Sequence, residues 1–373
     1  MTKPLTIGIP VMMSSASEIA ALKAAKERIE AATANTDMPV QVGAFLYLTD
    51  REAKPENLAK ALENQSVARL PIAHAQAPIY QRNSLAFAGE EAARFGGQSQ
   101  LDSLIDHAAK MRDLSGQPNF TSSPLVVETH PGVVVFGHRN EPNPNPATYS
   151  KDYFLENRDA IFETMRLRFS ELSTKAYDRG MVFNVENGCV TTVEPDRWDV
   201  PENKPQFHYL PGNDIRSLER ITGVTPQTRG RSGNLTFDIA HLASAQNIGN
   251  QMRENGADSE AATFLALYDC KNWAEYDAKL GDVREYFDEA RVIHFSNTTG
   301  IGMKLHKTPE VEAKWGKDGG FSGLLSNQQL RETLSYAHGR GLPVMFELAY
   351  DFKTIPTKQF RDVDECLEFI QKD

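Results

Sequence analysis

Cysteine is scarce: Cys189, Cys270 and Cys366 are the three in 373 residues, and they are widely spaced. An odd and sparse set is no disulfide framework. It reads instead as reduced core thiols of a cytoplasmic protein. Long apolar runs are missing too. No stretch reaches the length of a membrane span, and the run Met1–Pro10 lacks the apolar h-region of a signal peptide. No membrane partner is therefore expected. Heptads, tandem repeats and low-complexity tracts are absent, and no glycine-rich phosphate fingerprint follows any expected strand. Positive charge is also in deficit, with 40 Lys and Arg against 50 Asp and Glu, a net of −10. Such a surface does not draw polyanions over long range. That argues against a general nucleic-acid binder, while leaving room for metal ions that bring positive charge into a site.

What is present is an alternation of short β-type runs and amphipathic helical stretches, with 40% hydrophobic side chains to build a core. Strands are expected at Leu5–Val11, Val40–Leu48, Arg69–Ala75, Pro124–Thr129, Met181–Val185, Asn234–Ile239, Arg291–Phe295 and Pro343–Leu348. Between them, helices are expected at Ser17–Ala32, near Pro55–Leu62, roughly over Ser84–Met111, and at Lys151–Arg179. The last carries Phe154, Ile161, Met165, Phe169, Leu172 and Ala176 on one apolar stripe. Ser326 with Gln329 forms a capping box for another helix, and Asp362 opens a final one carrying Val363, Leu367 and Ile370.

Repeated strand–helix units predict a parallel sheet with helices outside. Eight strands followed by a C-terminal helix predict closure into a (β/α)₈ TIM barrel of class α/β, a single domain over 1–373. The runner-up, an open doubly wound sheet, is weakened by the missing phosphate fingerprint. Insertions are expected near 138–150, rich in Pro and Asn, and at 299–323, polar and Gly-rich. In a barrel, such insertions shape the substrate mouth.

Metal-type side chains recur at the strand ends: His74, His130, Glu186, Asp238 with His241, His294 and Glu347, followed by His306 in the loop after the seventh strand. C-terminal strand ends of a barrel converge on one mouth, so these distant residues are expected to meet there. Mixed imidazole and carboxylate ligands suit divalent zinc best, with manganese or iron as alternatives. Any one such residue is as readily a cap or a hydrogen-bonded loop residue; the recurrence across strands favours a metal site. Glu186 and Glu347 stand out, because each follows an apolar β run where an unpaired buried carboxylate is costly. His107, His208 and His338 lie in helical or polar stretches and read as structural or exposed. Asn187 and Asn297 follow expected ligands and read either as orienting groups or as turn residues.

Taken in order and strand placement, these motifs resemble the xylose-isomerase-like barrel superfamily, which holds sugar isomerases and epimerases as well as endonuclease IV. The runs Ile72-Ala73-His74-Ala75 and His130-Pro131-Gly132 make the resemblance lean to the endonuclease IV branch. That branch implies His74 and His130 on a first zinc ion and Glu186 bridging it to a second. It implies Asp238, His294 and Glu347 on the second ion, and His241 with His306 on a third. The sequence departs from the branch where Lys304 replaces an Asp two residues before His306, a position Asp318 would have to fill. It also lacks the early-loop aromatic and Arg residues that open DNA.

Two activities follow from the resemblance. The first is a metal-dependent phosphoester hydrolase with a multinuclear site in which Glu186 and Glu347 are the catalytic carboxylates. The alternative is a one-ion sugar isomerase or epimerase, with Glu186 and Glu347 exchanging a proton on opposite faces of the substrate carbon. A non-catalytic barrel with a partly filled site is the third reading, supported by Lys304. The expected partner is a phosphoester or sugar substrate, with DNA a further option.

Overall fold

The computed structural model describes residues 3–48, 52–77, 84–86, 97–117, 120–121, 124–136, 148–188, 191–192, 207–224, 234–256, 258–297, 324–346 and 370. Eight strands form a closed, all-parallel barrel: β1 (Leu5–Val11), β2 (Val40–Tyr47), β3 (Ile72–Ala77), β4 (Val126–Thr129), β7 (Val182–Glu186), β10 (Leu235–Asp238), β11 (Ala290–Phe295) and β12 (Val344–Phe346). β1 pairs with both β2 and β12, which closes the ring. These are the eight expected strands, each within a few residues of its predicted ends. Strands buried on both faces have near-continuous apolar runs, as in Leu5–Val11, all seven of whose residues are buried.

Helices cover the outside: α1 (Ala16–Thr33), α2 (Pro55–Ala68), α3 (Gly97–Ser115), α4 (Lys151–Asp178), α5 (Ile215–Thr222), α6 (Ile239–Asn255), α7 (Asp258–Leu267), α8 (Trp273–Leu280), α9 (Val283–Glu289) and α10 (Asn327–Arg340). The expected stripe of α4 is buried. The capping box predicted at Ser326 and Gln329 is formed at the start of α10. Of the helix expected over Ser84–Met111, Ser84–Ala86 is a turn, 87–96 lie outside the described residues, and α3 covers Gly97–Ser115. Ser84 accepts the Ala86 backbone N–H, a local bond that competes with helix. The final helix from Asp362 lies outside the described residues except Ile370, which packs on the core.

A second, four-stranded sheet was not anticipated. It runs β6 (Thr148–Ser150), β5 (Val134–Phe136), β9 (Phe207–Tyr209), β8 (Thr191–Thr192). Its strands come from the connections after β4 and β7, on the C-terminal side of the barrel. The end of the expected 138–150 insertion is therefore strand β6; the rest of it, and all of 299–323, lie outside the described residues.

The barrel interior is closed below the mouth by Phe45, Ala73, Val126, Val292 and Met345. Gly8 makes this floor possible, since a Cβ there would stand 2.1 Å from the Met345 sulfur. Among the described residues, no helix is long and apolar enough to cross a membrane.

Candidate metal centre

The side chains above the floor are polar and deeply buried. Glu186 ends β7, Asp238 ends β10, and His294 sits one residue before the end of β11. Asp238 is in register with His294 on the neighbouring strand. All three are 0% exposed. His294 Nδ1 lies 3.1 Å from Glu186 Oε1. One donor atom from each of Glu186, Asp238 and His294 fits within a common sphere of 4.8 Å separation.

Asp238 holds two positions at once. It is the N-cap of α6, where Oδ1 accepts the His241 backbone N–H at 2.9 Å. That bond satisfies one of the four free N–H groups of the helix start. It also fixes the carboxylate so that Oδ2 lies 3.6 Å from His241 Nε2. Asn187 locks the same corner: its Oδ1 accepts the Asp238 N–H at 2.6 Å and its Nδ2 donates to the Asp238 carbonyl at 2.9 Å. The Asn187 carbonyl stands 2.7 Å from His241 Nδ1. Of the two roles open to Asn187, the orienting one is what these bonds describe. Asn297 instead ties the chain ahead of α10, bonding the N–H and C=O of Leu325, both at 2.9 Å.

His130 and His241 sit on the mouth side. His130 Nε2 is 3.1 Å from Glu186 Oε2, and His241 Nδ1 is 3.6 Å from Glu186 Oε1. Their side chains keep 7% and 6% exposure, whereas Glu186 keeps none. These two rings are therefore the part of the cluster nearest to anything entering the mouth. Gln76 donates its side-chain amide to Glu186 Oε2.

His74 is placed differently from its expected strand end. It is the third residue of β3, which runs on to Ala77. An extra residue in β3 shifts the pairing from Ala44↔Ile72 to Phe45↔His74, so Ala73 and His74 both serve the interior. His74 Nε2 lies 3.0 Å from Glu128 Oε2, and His294 Nε2 lies 2.9 Å from Glu128 Oε1. Phe45 packs on both rings, at 5.2 and 5.4 Å between centroids. Among the described residues, no group of three converging donors contains both His74 and His130. Glu347 directly follows β12, and it and His306 lie outside the described residues.

Glu128 and Gln76 were missed by the sequence reading. Both were accessible to it. Glu128 sits in Val126-Val127-Glu128-Thr129, a carboxylate inside an apolar β run and two residues before His130, hence on the same face. Gln76 stands two residues after His74 on the same logic.

The electrostatics follow from burial. Burial pushes the Glu186 carboxyl up to about 8; the His294 imidazole pulls against this and the Glu128 charge adds to it. Burial alone would raise Glu128 as well, but its two imidazole neighbours, His294 first, outweigh it and hold that carboxyl well below the usual range. Burial lowers His74 and His130, so both rings are neutral near pH 7. Neutral imidazoles are the state a divalent cation requires, and a cation binding beside Glu186 would displace the proton that burial favours on its carboxyl.

The donor set fits such a cation. Both ring nitrogens of His130, Glu186 Oε1 and Gln76 Oε1 are buried without an aligned hydrogen bond, which is costly unless a further partner is supplied. The His294 Nδ1–Glu186 Oε1 spacing of 3.1 Å is close to the roughly 3.3 Å between ligands on a tetrahedral zinc with bonds of about 2.0–2.1 Å.

No family model matches the chain, and no curated protein matches it at a significant level. Solved structures do. A protein from Rhodospirillum rubrum assigned as a xylose isomerase is 14% identical, with 98% of each chain covered and a TM-score of 0.52. A D-tagatose 3-epimerase-like protein is 16% identical over 100% of this chain and 97% of the other, TM-score 0.48. The IolI protein with a bound zinc atom is 10% identical over 99% and 97%, TM-score 0.49. Likeness at this identity shows the fold, a (β/α)₈ barrel. None of these three structures is an endonuclease IV, so the leaning to that branch gains nothing from them.

Proposed function

We propose that this protein is a divalent-metal-dependent isomerase or epimerase acting on a sugar or a similar hydroxy-carbonyl compound. The observation that carries the reading is the separation of His74 from His130. A multinuclear hydrolase site would need both histidines with Glu186 on one ion, but His74 is spoken for by Glu128 at 3.0 Å. Gln76 and His130 both address Glu186 Oε2. That leaves Oε1, beside His294 and near Asp238, as the oxygen free to meet an ion. One ion on Glu186, Asp238 and His294 is the arrangement these contacts support; Glu347, next in sequence after β12, is proposed as the fourth ligand.

When bound, the ion supplies Lewis acidity that polarises a substrate carbonyl and its neighbouring hydroxyl. The chain's own residues do the rest. Glu186 takes the proton from the carbon beside the carbonyl, and Glu347 returns a proton to the opposite face. This is acid–base work by two carboxylates tuned by their surroundings. His130 and His241, at the exposed side of the cluster, orient substrate hydroxyls. The name of one structural neighbour, a protein assigned as a xylose isomerase, agrees with a sugar as substrate.

The test is proton exchange in D₂O. The zinc- or manganese-loaded protein is incubated with a panel of ketoses and aldoses, and the C–H signals beside the carbonyl are followed by NMR. Deuterium entering that position, and not in Glu186→Gln, supports the proposal. Hydrolysis of a phosphodiester such as bis(p-nitrophenyl) phosphate without any C–H exchange would replace it with the hydrolase reading. That second reading draws on the His130–Glu186–His241 group, whose donors also converge.

A further inference from the structure

The proposed reaction leaves the buried carboxylate of Glu128 without a task. Glu128 is 0% exposed in the centre of the barrel. Its neighbours below are the apolar floor, including Phe45, Val126 and Val292. A charge there persists only when paired. The pairing is with two imidazoles: Oε1 with His294 Nε2 at 2.9 Å and Oε2 with His74 Nε2 at 3.0 Å. The distances are those of hydrogen bonds, although the ring N–H directions are imperfectly aligned.

His294 uses its two nitrogens on opposite sides. Nε2 faces Glu128, and Nδ1 faces Glu186 Oε1 at 3.1 Å. A neutral imidazole carries one proton, on one nitrogen or the other. With a cation on the Nδ1 side between His294 and Glu186, the Glu128 carboxylate at Nε2 holds the single N–H, because it accepts an N–H and repels a lone pair. Nδ1 is then left with its lone pair on the Glu186 and Asp238 side.

We infer that Glu128 is a positioning residue: it fixes His294 as the Nε2–H tautomer so that Nδ1 can ligate a divalent cation beside Glu186 and Asp238, and His74 anchors Glu128 rather than binding the cation. This rests on the metal site of the proposed function. It goes beyond that site in assigning roles to two residues beneath it. A carboxylate behind a ligating histidine also makes the ring a better donor, and losing such a partner weakens metal binding by about 10- to 100-fold.

The experiment measures zinc affinity of the full chain by competition with a chromophoric chelator, for the wild type, Glu128→Gln and His74→Gln. A cooperative thermal melt serves as the folding control. Alongside, the zinc-loaded wild type labelled with ¹⁵N-histidine reports directly which nitrogen of His294 carries hydrogen. The expected result is one zinc per wild-type chain. Glu128→Gln should bind about 10- to 100-fold more weakly, and His74→Gln within about threefold of wild type. The His294 spectrum should show Nε2–H and a zinc-bound Nδ1, a readout that holds even where a variant fails to fold. Unchanged affinity in Glu128→Gln would overturn the inference alone. So would a His74→Gln loss as large as that of Glu128→Gln, which makes His74 a ligand, or zinc on His294 Nε2. A wild type that binds no zinc would overturn the inference together with the proposed function.

Discussion

Gln76 donates its side-chain amide to the same oxygen of Glu186 that His130 approaches at 3.1 Å. The Gln76 amide from β3 thus holds one oxygen of the central carboxylate, with the His130 ring beside it, and the other oxygen faces His294. Gln76→Met removes the amide donor while keeping the volume. Zinc affinity should fall by about tenfold, in the range found for lost partners of metal ligands, as read by chelator competition. An unchanged affinity would mean that Gln76 does not set the orientation of Glu186.

Asn187 joins the ends of β7 and β10 by bonding both backbone groups of Asp238. Asn187→Ala leaves the buried Asp238 N–H without its acceptor. The expected cost is about 1–3 kcal/mol of stability, measured by urea unfolding. Metal affinity should drop as well, because the α6 cap and the Asp238 carboxylate lose their common brace.

A bound ion should stabilise the fold by mass action. At free zinc a hundred times the dissociation constant the gain is about 2.7 kcal/mol, which raises the melting temperature by several degrees. Asp238→Asn and His294→Gln should abolish this shift. A zinc-dependent shift surviving both substitutions would place the ion elsewhere.

His107 on α3 sets a pH dependence away from the site. Burial, with Lys110 adding to it, pushes its imidazole down to about 4, against about 6.5 in an unfolded chain. Between these values the unfolded chain holds the proton and the folded one does not. Stability from this residue is therefore full above about pH 6.5 and is lost as pH falls toward 4. The loss is at most about 3 kcal/mol. Comparing urea midpoints of the wild type and His107→Leu between pH 4 and 8 should show the wild type gaining more as pH rises. Parallel curves would contradict the assignment.

Periodicity made the barrel legible, because its strands are apolar on both faces and its long helices carry one apolar stripe. The strand-end rule placed Glu186, Asp238 and His294 together, since parallel strands share a mouth whatever their separation in sequence. The rule put His74 at the end of β3, but that strand runs on to Ala77. It also passed over Glu128, which satisfies the same test as Glu186 but sits inside a strand rather than at its end. The small sheet escaped because its strands are two or three residues long, too short for any period to emerge.

The central claim is a single catalytic ion held by Glu186, Asp238 and His294. Elemental analysis of the purified, zinc-reconstituted protein beside His130→Ala tests it most directly. One ion per chain in both proteins is the predicted result. Two or three ions in the wild type, falling by one in His130→Ala, would contradict it and restore a multinuclear site.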